Sequence, residues 1–465
     1  MSVPQTPGEE RLKRLAEPEQ EVASGTRTLV VGPYLNRRRG AADPDAASEN
    51  PRPFESRLDE AVGLALAIDL DVVQSFVATL AALRPATYLG KGKVEEIAGL
   101  VAAESIRLVV MDCALSPVQQ RNLEKAWGAK VIDRTGLILE IFGRRARTRE
   151  GRLQVELAHL SYQKSRLVRS WTHLERQRGG FGFLGGPGET QIEADRRLIQ
   201  ERMTRIERDL ETVTRTRALH RTSRRRVPYP IVALVGYTNA GKSTLFNRLT
   251  TAQVMAENML FATLDPTSRA IVLPHGERAI LSDTVGFISD LPTMLVAAFR
   301  ATLEDVIEAD VLLHVRDVSH GETNAQAADV RGVLRDLDID PDDPGRIIEV
   351  WNKADLLAPD EEAALAERAA RMRPEERPAV VSALTGRGVS ELLQRIEDRV
   401  ARGRPVFSLE LDPADGQGVN WLYEEAEILS REDRDDAIAF RVRIAAEKEP
   451  RLLQRFPAAN RSAAG

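Results

Sequence analysis

The sequence contains little cysteine and no long apolar run, and these absences exclude whole classes of protein. Cys113 is the single cysteine among 465 residues, which rules out an intramolecular disulfide and fits a reducing cytosol. The first 21 residues lack the apolar centre of a signal peptide, and no run approaches transmembrane length. We therefore expect a cytoplasmic monomer without a membrane span, long enough for about three domains.

Metal-ligating side chains are also sparse. The six histidines show no metal-ligand spacing, either among themselves or with Cys113. We interpret them as surface or packing residues: His159, His173, His220, His275, His314 and His320.

Positive charge is concentrated in one segment. The chain has a net charge of −5, but residues 144–226 contain 21 basic and 10 acidic residues, and 20 of those basic residues are arginine. Their local net charge is therefore +11, against −16 for the rest of the chain. An arginine-rich block in an acidic chain suggests a phosphate-rich partner. The alternative is a solvated helical face that salt bridges balance.

Strand and helix patterns alternate between residues 27 and 143. Residues 1–26 and 37–54 are rich in proline, alanine, arginine and acidic residues, which predicts a disordered tail over 1–26 and a second loosely attached stretch. The patterns predict strands at 28–35, 72–80, 107–112 and 129–133, with helices at 58–67, 93–104 and 117–128. Such alternation predicts an N-terminal α/β domain over 27–143.

Two heptad-like segments flank the glycine-rich sequence GGFGFLGGPG at 179–188. Together they predict an antiparallel helical hairpin over 144–229, roughly 35–40 Å long, with the glycines at its tip. The glycine-rich tip would then be held away from the body of the protein at the end of two arginine-rich helices, where it can act as a probe. The alternative is a hairpin folded against its neighbours, with Phe181 and Phe183 in a core. The repeating apolar residues are Leu153, Leu157, Leu160, Leu167, Trp171, Leu174, Ile192, Ile199, Met203, Ile206, Leu210 and Val213.

A phosphate-binding motif, GYTNAGKST, follows an apolar strand and precedes a helical pattern. In this context the loop amides wrap a β-phosphate, Lys242 reaches the β- and γ-oxygens, and Ser243 holds Mg²⁺. The predicted phosphate-binding residues are Gly236, Tyr237, Thr238, Asn239, Ala240, Gly241, Lys242, Ser243 and Thr244.

Four short strings complete a GTP-binding switch domain, in the order that such a domain requires. DTVG at 283–286 offers Asp283 to hold Mg²⁺ through water and the Gly286 amide to sense the γ-phosphate. FATLDP at 261–266 offers Thr263 as a mobile ligand of the γ-phosphate and Mg²⁺. NKAD at 352–355 places Asp355 to accept from the guanine N1–H and 2-amino groups, and SAL at 382–384 places the Ala383 amide near O6.

From these strings we assign Lys242, Thr263 and Gly286 as catalytic residues, and Ser243 and Thr263 as metal ligands. The other predicted nucleotide contacts are Phe261, Ala262, Leu264, Asp265, Thr284, Val285, Asn352, Lys353, Ala354, Ser382 and Leu384.

The remaining sequence completes the predicted fold class, α/β. Residues 230–403 form a P-loop GTPase domain with a mostly parallel sheet, and residues 404–465 form a small C-terminal α+β domain. In the latter we predict a strand at 406–411, a helix at 418–430, a strand at 437–444 and a helix at 447–455.

Phe287 directly follows DTVG, where many GTPases have a glutamine that orients the attacking water. A phenylalanine side chain cannot hydrogen-bond water. We therefore expect slow intrinsic hydrolysis that depends on a group supplied by a conformational change or by a partner. Phe287 is alternatively a packing residue of the switch region, which leaves this expectation unchanged.

The sequence resembles the HflX family of ribosome-associated GTPases over about 27–400. The resemblance implies binding to the 50S large ribosomal subunit and its rRNA, an arm that reaches toward the peptidyl-transferase region, and splitting or rescue of stalled ribosomes. Many family members have arginine where this chain has Gly186, so an RNA contact by that arginine is missing or supplied by a neighbour. The resemblance is carried by LGKGKVEEI (89–97), 131–162, GGPGETQIEADRR (185–197), 235–250, 260–269 and DTVGFISDLP (283–292).

Two other functions stay open on the sequence alone. One is a GTP-dependent protein-binding switch, and the other is an ATP-dependent RNA remodeller. The resemblance also implies a second, ATP-binding site at Gly90, Lys91, Gly92 and Lys93, in the N-terminal domain. The alternative for these residues is an N-terminal helix cap with two solvated lysines.

Overall fold

A computed structural model describes most of the chain. The described ranges are 23–36, 52–175, 187–224, 229–250, 260–261, 267–290, 303–401, 405–434, 436–444 and 448–462, without the side chains of 168–175, 187–192 and 214–224. The predicted tail before residue 23, the stretch 37–51, the glycine-rich residues up to 186, and 262–266 with Thr263 all lie outside the described residues.

The N-terminal part forms a parallel four-stranded sheet of order β2-β1-β3-β4, with helices on both faces. Along β1, Val30 packs with the helices of one face, whereas Leu29 and Val31 pack with those of the other. The predicted strand–helix alternation is confirmed. The elements are β1 (Arg27–Leu35), α1 (Phe54–Leu66), β2 (Asp71–Leu80), α2 (Lys91–Ala103), β3 (Leu108–Met111), α3 (Pro117–Trp127), β4 (Lys130–Asp133) and α4 (Arg134–Arg145).

Two long helices follow, α5 (Arg149–Glu175) and α6 (Pro187–Arg224). Leucine, isoleucine and methionine side chains of the predicted heptad series pack between them, at Leu153, Leu157, Leu160, Leu167, Ile199, Met203, Ile206 and Leu210. Arg202 forms an ion pair with Glu156 across this contact at 2.7 Å. Despite their length, neither these helices nor any other in the described ranges is apolar enough to span a membrane.

Asp133 attaches α5 to the N-terminal sheet. Its carboxylate caps α4 by accepting from the Gly136 amide at 2.9 Å. The same carboxylate accepts from the Tyr162 hydroxyl and the Arg166 guanidinium, both of α5, each at 2.6 Å. One buried carboxylate therefore joins a strand end, a helix start and the long helix.

The second sheet has six strands in the order β10-β9-β8-β5-β7-β6, all parallel except the edge strand β6. Thr267 at the start of β6 pairs with Asp283 at the end of β7. The elements are β5 (Ile231–Gly236), α7 (Lys242–Thr250), β6 (Thr267–Val272), β7 (Arg278–Asp283), α8 (Glu304–Ile307), β8 (Val311–Asp317), α9 (Thr323–Asp336), β9 (Ile347–Asn352), a 3-10 turn (Ala354–Leu356), α10 (Pro359–Ala370), β10 (Ala379–Val380) and α11 (Val389–Val400). Strands β5, β7 and β9 end at the predicted motifs, so the motifs meet at one edge of the sheet, as in other open α/β sheets.

The C-terminal part is an antiparallel sheet of order β12-β13-β11-β14 with two helices. The predicted helix over 418–430 is wrong at its end, because α12 stops at Glu425 and residues from Glu427 onward pair with β13. Strand pairing thus overrides local helix propensity there. The elements are β11 (Val406–Leu411), α12 (Gly416–Glu425), β12 (Glu427–Asp433), β13 (Ile438–Arg443), α13 (Glu449–Arg455) and β14 (Asn460–Ser462).

Candidate nucleotide-binding site

The loop between β5 and α7 packs too closely on the sheet for side chains at two of its positions. A Cβ on Gly236 would lie 2.2 Å from the Val315 carbonyl oxygen, and one on Gly241 would lie 2.2 Å from Asn352 Nδ2. Gly241 also has φ +92°, which disfavours every residue except glycine. The motif's glycines therefore shape a loop that leads directly into the N-terminus of α7, where the helix dipole favours a phosphate.

Lys242 lies inside this loop. Its ammonium donates to the carbonyl oxygens of Gly236 at 3.0 Å and Tyr237 at 2.8 Å. Burial lowers the pKa of Lys242 to about 8, although the nearby Asp283 carboxylate opposes that shift. A buried ammonium held by neutral carbonyls is well placed to exchange them for phosphate oxygens, which carry full charge.

Ser243 and Asp283 come together beside Lys242. The Ser243 hydroxyl donates to Asp283 Oδ2 at 2.7 Å, which joins the start of α7 to the end of β7. A hydroxyl and a carboxylate are hard oxygen donors of the kind that Mg²⁺ prefers. Across the described ranges, no group of three or more His, Cys, Asp or Glu side chains could hold a metal. This pair therefore fits an ion that takes its other ligands from phosphate and water.

Residues 286–287 lie against the phosphate loop. A Cβ on Gly286 would lie 2.8 Å from Thr238 Cγ2 and 3.0 Å from Lys242 Nζ, so its backbone is in close contact with both. The Phe287 amide donates to the Gly236 carbonyl at 3.1 Å, and the Thr238 amide donates to the Phe287 carbonyl at 2.7 Å. The Phe287 side chain is buried among apolar neighbours, so it packs in the way that the alternative interpretation describes.

Asn352 connects the phosphate loop to the predicted base-reading loop. Its Nδ2 donates to the Ala240 carbonyl at 2.9 Å, and its Oδ1 accepts from the Ala383 amide at 3.0 Å. Arg248 of α7 donates to the Ala383 carbonyl at 3.1 Å and also binds the Leu384 carbonyl. The structure thus brings the NKAD and SAL strings together around one buried amide side chain.

Lys353 and Asp355 follow at the same edge of the sheet. Lys353 adopts a left-handed conformation, with φ +64°, and its ammonium pairs with Asp317 at the end of β8 at 2.7 Å. This turn leads into the 3-10 segment, where the Asp355 side chain is exposed. Asp355 is therefore accessible to a base next to the loop that Asn352 fixes.

The first switch string is only partly described. Phe261 is almost fully buried, and its ring packs edge-on against Phe142 of α4 with centroids 4.8 Å apart. The Phe261 side chain therefore packs inside the protein and does not make the predicted nucleotide contact. The other predicted residues of this string, Ala262, Thr263, Leu264 and Asp265, lie outside the described residues.

Sequence reasoning missed a polar cluster that joins the N-terminal sheet to this site. The hydroxyl of Tyr237, inside the phosphate loop, binds Glu60 of α1 and accepts from Arg52 at 2.9 Å. Glu60 also binds Arg134 and accepts from the Ser289 hydroxyl at 2.6 Å. We call Arg52, Glu60, Arg134, Tyr237 and Ser289 the Glu60 cluster. In the sequence, the local sign of this cluster is Tyr237, which directly follows the first glycine of the phosphate-binding motif.

The second predicted phosphate site, at the start of α2, has paired lysines. Gly90 precedes the helix, with no side-chain cap. Lys91 lies 3.8 Å from Glu95 and Lys93 lies 2.7 Å from Glu96, in both cases within the same helix. Both pairs join neighbouring turns of one helix, and the Lys91 side chain is 91% exposed.

Four protein-family models match most of the chain. Their descriptions are "GTP-binding GTPase N-terminal" (residues 55–143), "GTP-binding GTPase Middle Region" (145–224), "50S ribosome-binding GTPase" (231–353) and "HflX C-terminal domain" (364–463). The sequence is 51% identical to GTPase HflX of Magnetococcus marinus, over 83% of this chain and 88% of that protein. It is 43% identical to GTPase HflX of Escherichia coli, over 89% and 94%.

Among solved structures, the chain aligns with a GTP-binding protein from Sulfolobus solfataricus in complex with GDP, with a TM-score of 0.42 and 21% identity, over 81% of this chain and 99% of that one. The resemblance that the sequence motifs indicated is confirmed by the family models and the curated relatives.

Proposed function

The chain belongs to the HflX family of GTPases, and from that premise we propose that it binds GTP with Mg²⁺, associates with the 50S ribosomal subunit, and splits or rescues stalled ribosomes. The observation that carries the nucleotide part is the convergence of Lys242, Ser243, Asp283, Gly286 and Asn352 at one sheet edge. The ribosomal part rests on the family model matched by residues 231–353 and on the arginine-rich helices.

Each residue of the site has a proposed role. Lys242 binds the β- and γ-phosphate oxygens, and the Gly286 amide contacts the γ-phosphate. Ser243 and Thr263 would hold Mg²⁺, Asp283 would hold it through a water molecule, and Thr263 would also contact the γ-phosphate. Mg²⁺ supplies positive charge that neutralises the phosphates during transfer. Asp355 reads guanine, and the Ala383 amide, which donates to Asn352 in this structure, turns to O6 when the base binds.

Hydrolysis needs a water-orienting group that Phe287 does not supply, because its side chain is apolar and buried. We infer slow intrinsic turnover that a partner or a conformational change accelerates. Single-turnover hydrolysis with excess Mg²⁺ tests the site: Lys242→Ala and Ser243→Ala should abolish or greatly slow it, because each removes a group aligned with the phosphates. Asn324→Ala, an exposed position in α9, is the control. Near-parental rates in both site variants would reject the assignment.

The ribosome contact is proposed for exposed arginines of α6. Arg196, Arg197 and Arg205 are exposed, whereas Arg166 and Arg202 are held by carboxylates within the protein. Arginine contacts to phosphates release counterions, so large-subunit binding should weaken as salt rises.

Sucrose-gradient sedimentation with large subunits and a non-hydrolysable GTP analogue tests this contact. Reversing the charge of Arg196, Arg197 and Arg205 together should weaken co-migration, and it should reduce the slope of log K against log salt concentration by about two to three. Reversing the exposed Arg371, Arg373 and Arg377 changes net charge equally and should leave both intact. Absence of co-migration by the parent would instead favour a GTP-dependent protein-binding switch.

The same proposal includes the localisation, the oligomeric state, the domain boundaries and the partner of the hairpin. The protein is a cytoplasmic monomer with an N-terminal domain over 27–143, a hairpin over 144–229, a GTPase domain over 230–403 and a C-terminal domain over 404–465. Ribosomal RNA is the partner of the hairpin. A second, ATP-binding site is proposed at residues 90–93, where Lys91 and Lys93 lie in the first turn of α2.

A further inference from the structure

Ser289 lies three residues after Gly286, and all three of its polar groups are held by the Glu60 cluster. Its amide donates to the Tyr237 hydroxyl at 2.7 Å, and its carbonyl accepts from Arg134 at 2.8 Å. Its hydroxyl donates to Glu60 Oε1 at 2.6 Å and accepts from Arg134 at 3.0 Å. A residue bound through its amide, carbonyl and side chain at once has little freedom to move relative to those partners.

The anchor itself is fixed in the N-terminal sheet. Arg134, at the start of α4, pairs with Asp112 at 2.6 Å, and Asp112 accepts from the Tyr34 hydroxyl at 2.5 Å. Glu60 and Arg134 are each about nine-tenths buried. Burial raises the pKa of Glu60, but Arg134 and the hydrogen bonds from Ser289 and Tyr237 lower it below its ordinary value. Glu60 is therefore an ionised carboxylate, and both of its oxygens accept hydrogen bonds from the other members of the cluster.

We propose that Glu60 and Arg134 are positioning residues of the nucleotide site: by fixing Ser289, they hold the Gly286 amide at the place where it contacts a γ-phosphate. The proposal rests on the proposed function of Gly286. Residues 287 and 288 connect Gly286 to Ser289, and Phe287 is held on the phosphate loop by its own backbone hydrogen bonds. The segment is thus restrained at both ends before a nucleotide binds.

The physical consequence is preorganisation, which favours a triphosphate over a diphosphate. Fixing the backbone of one residue costs conformational entropy, and this cost lowers the binding constant roughly five- to thirtyfold when binding has to order that residue. If Ser289 were released, only the backbone hydrogen bonds of Phe287 would hold Gly286, and binding a γ-phosphate would have to supply the remaining order at that moment. Binding GDP would not, because GDP has no γ-phosphate to contact Gly286.

The test compares affinities of the full-length protein for a non-hydrolysable GTP analogue and for GDP, both with Mg²⁺. Glu60→Gln removes the charge at nearly constant volume, and Ser289→Ala removes only the hydroxyl contacts. We expect Glu60→Gln to weaken analogue binding about tenfold while GDP affinity stays within about twofold. Ser289→Ala should change the ratio in the same direction by less, because its backbone contacts remain.

Glu322→Gln is the matched control, because Glu322 also lies near Arg52, at 3.7 Å, yet does not contact Ser289 or Tyr237 in the described contacts. It should leave the ratio unchanged. Equal weakening of both nucleotides with a lowered melting temperature would show a merely structural role and overturn the proposal. Tighter analogue binding would overturn it too, since the cluster would then hold Gly286 away from the γ-phosphate. A parent that binds neither nucleotide would refute the proposed function instead.

Discussion

Replacing Asn352 with alanine should destabilise the protein and weaken guanine-nucleotide binding together. Asn352 is almost fully buried, and its side chain makes two hydrogen bonds that join Ala240 of the phosphate loop to Ala383 of the base-reading loop. The alanine variant deletes both bonds. It also leaves the Ala240 carbonyl and the Ala383 amide without their partner in an interior position.

The magnitude follows from those two bonds. A buried hydrogen bond contributes about 0.5–1.5 kcal/mol net, and an interior polar group left unsatisfied costs about 1–3 kcal/mol. Water entering the space left by the side chain reduces the second contribution. We therefore expect the free energy of unfolding to fall by about 2–4 kcal/mol, and the melting temperature to fall by roughly 4–16 °C for a domain of this size.

Urea and thermal denaturation followed by circular dichroism measure the change, and GDP titration of the folded variant measures the affinity. Asn324→Ala is the matched control, because it makes the same substitution at an exposed asparagine that accepts one hydrogen bond from Arg316. It should change stability by no more than about 0.5 kcal/mol. If the Asn352 variant matched this control in both stability and GDP affinity, the bridging role would be refuted.

Three further outcomes follow from single positions. Asp355→Asn should weaken GTP binding and improve xanthosine triphosphate binding, because one carboxylate oxygen becomes a donor facing guanine donors; equal GTP affinity would reject the base assignment. Gly241→Ala should cost roughly 1–3 kcal/mol in urea denaturation from backbone strain, besides the contact with Asn352, whereas Gly332→Ala in α9 has open space and should not destabilise. The hydrogen bond to Glu397 raises the pKa of His275 above 6.5, so this pair stabilises below about pH 6.5 and its contribution is lost as pH rises through the raised pKa. The melting difference between the parent and His275→Ala should therefore be larger at about pH 5.5 than at about pH 8.5, and equal differences would contradict the pairing.

The nucleotide motifs could be predicted from the sequence because their chemistry is local. A strand followed by a glycine loop and a helix is encoded within a dozen residues, and the structure places Lys242, Ser243 and Asp283 together as that pattern requires. The strand–helix alternation before residue 143 was readable for the same reason. In each case, hydrophobic periodicity and turn residues carry the information.

The Glu60 cluster was not readable, because its members are far apart along the chain. Tyr237 and Glu60 are separated by 177 residues, and neither lies in a pattern that names the other. The end of the helix predicted at 418–430 failed for a related reason. Residues 427–433 form an edge strand with no buried position, so the alternation that marks a strand is missing and only its pairing with β13 reveals it.

The antiparallel edge of the six-stranded sheet aligns the start of β6 with the end of β7. Thr267 directly follows FATLDP and Asp283 begins DTVG, and these two residues are opposite each other in the ladder. Their alignment is decided at the other end of the same hairpin, where Gly276 turns the chain with φ +87°. A one-residue insertion in that turn would slide the ladder by about 3.4 Å and reverse the faces of its side chains. The position of Asp283, the proposed water-mediated ligand of Mg²⁺, relative to Thr267 therefore depends on a turn about 20 Å away, because each strand of this hairpin is six residues long.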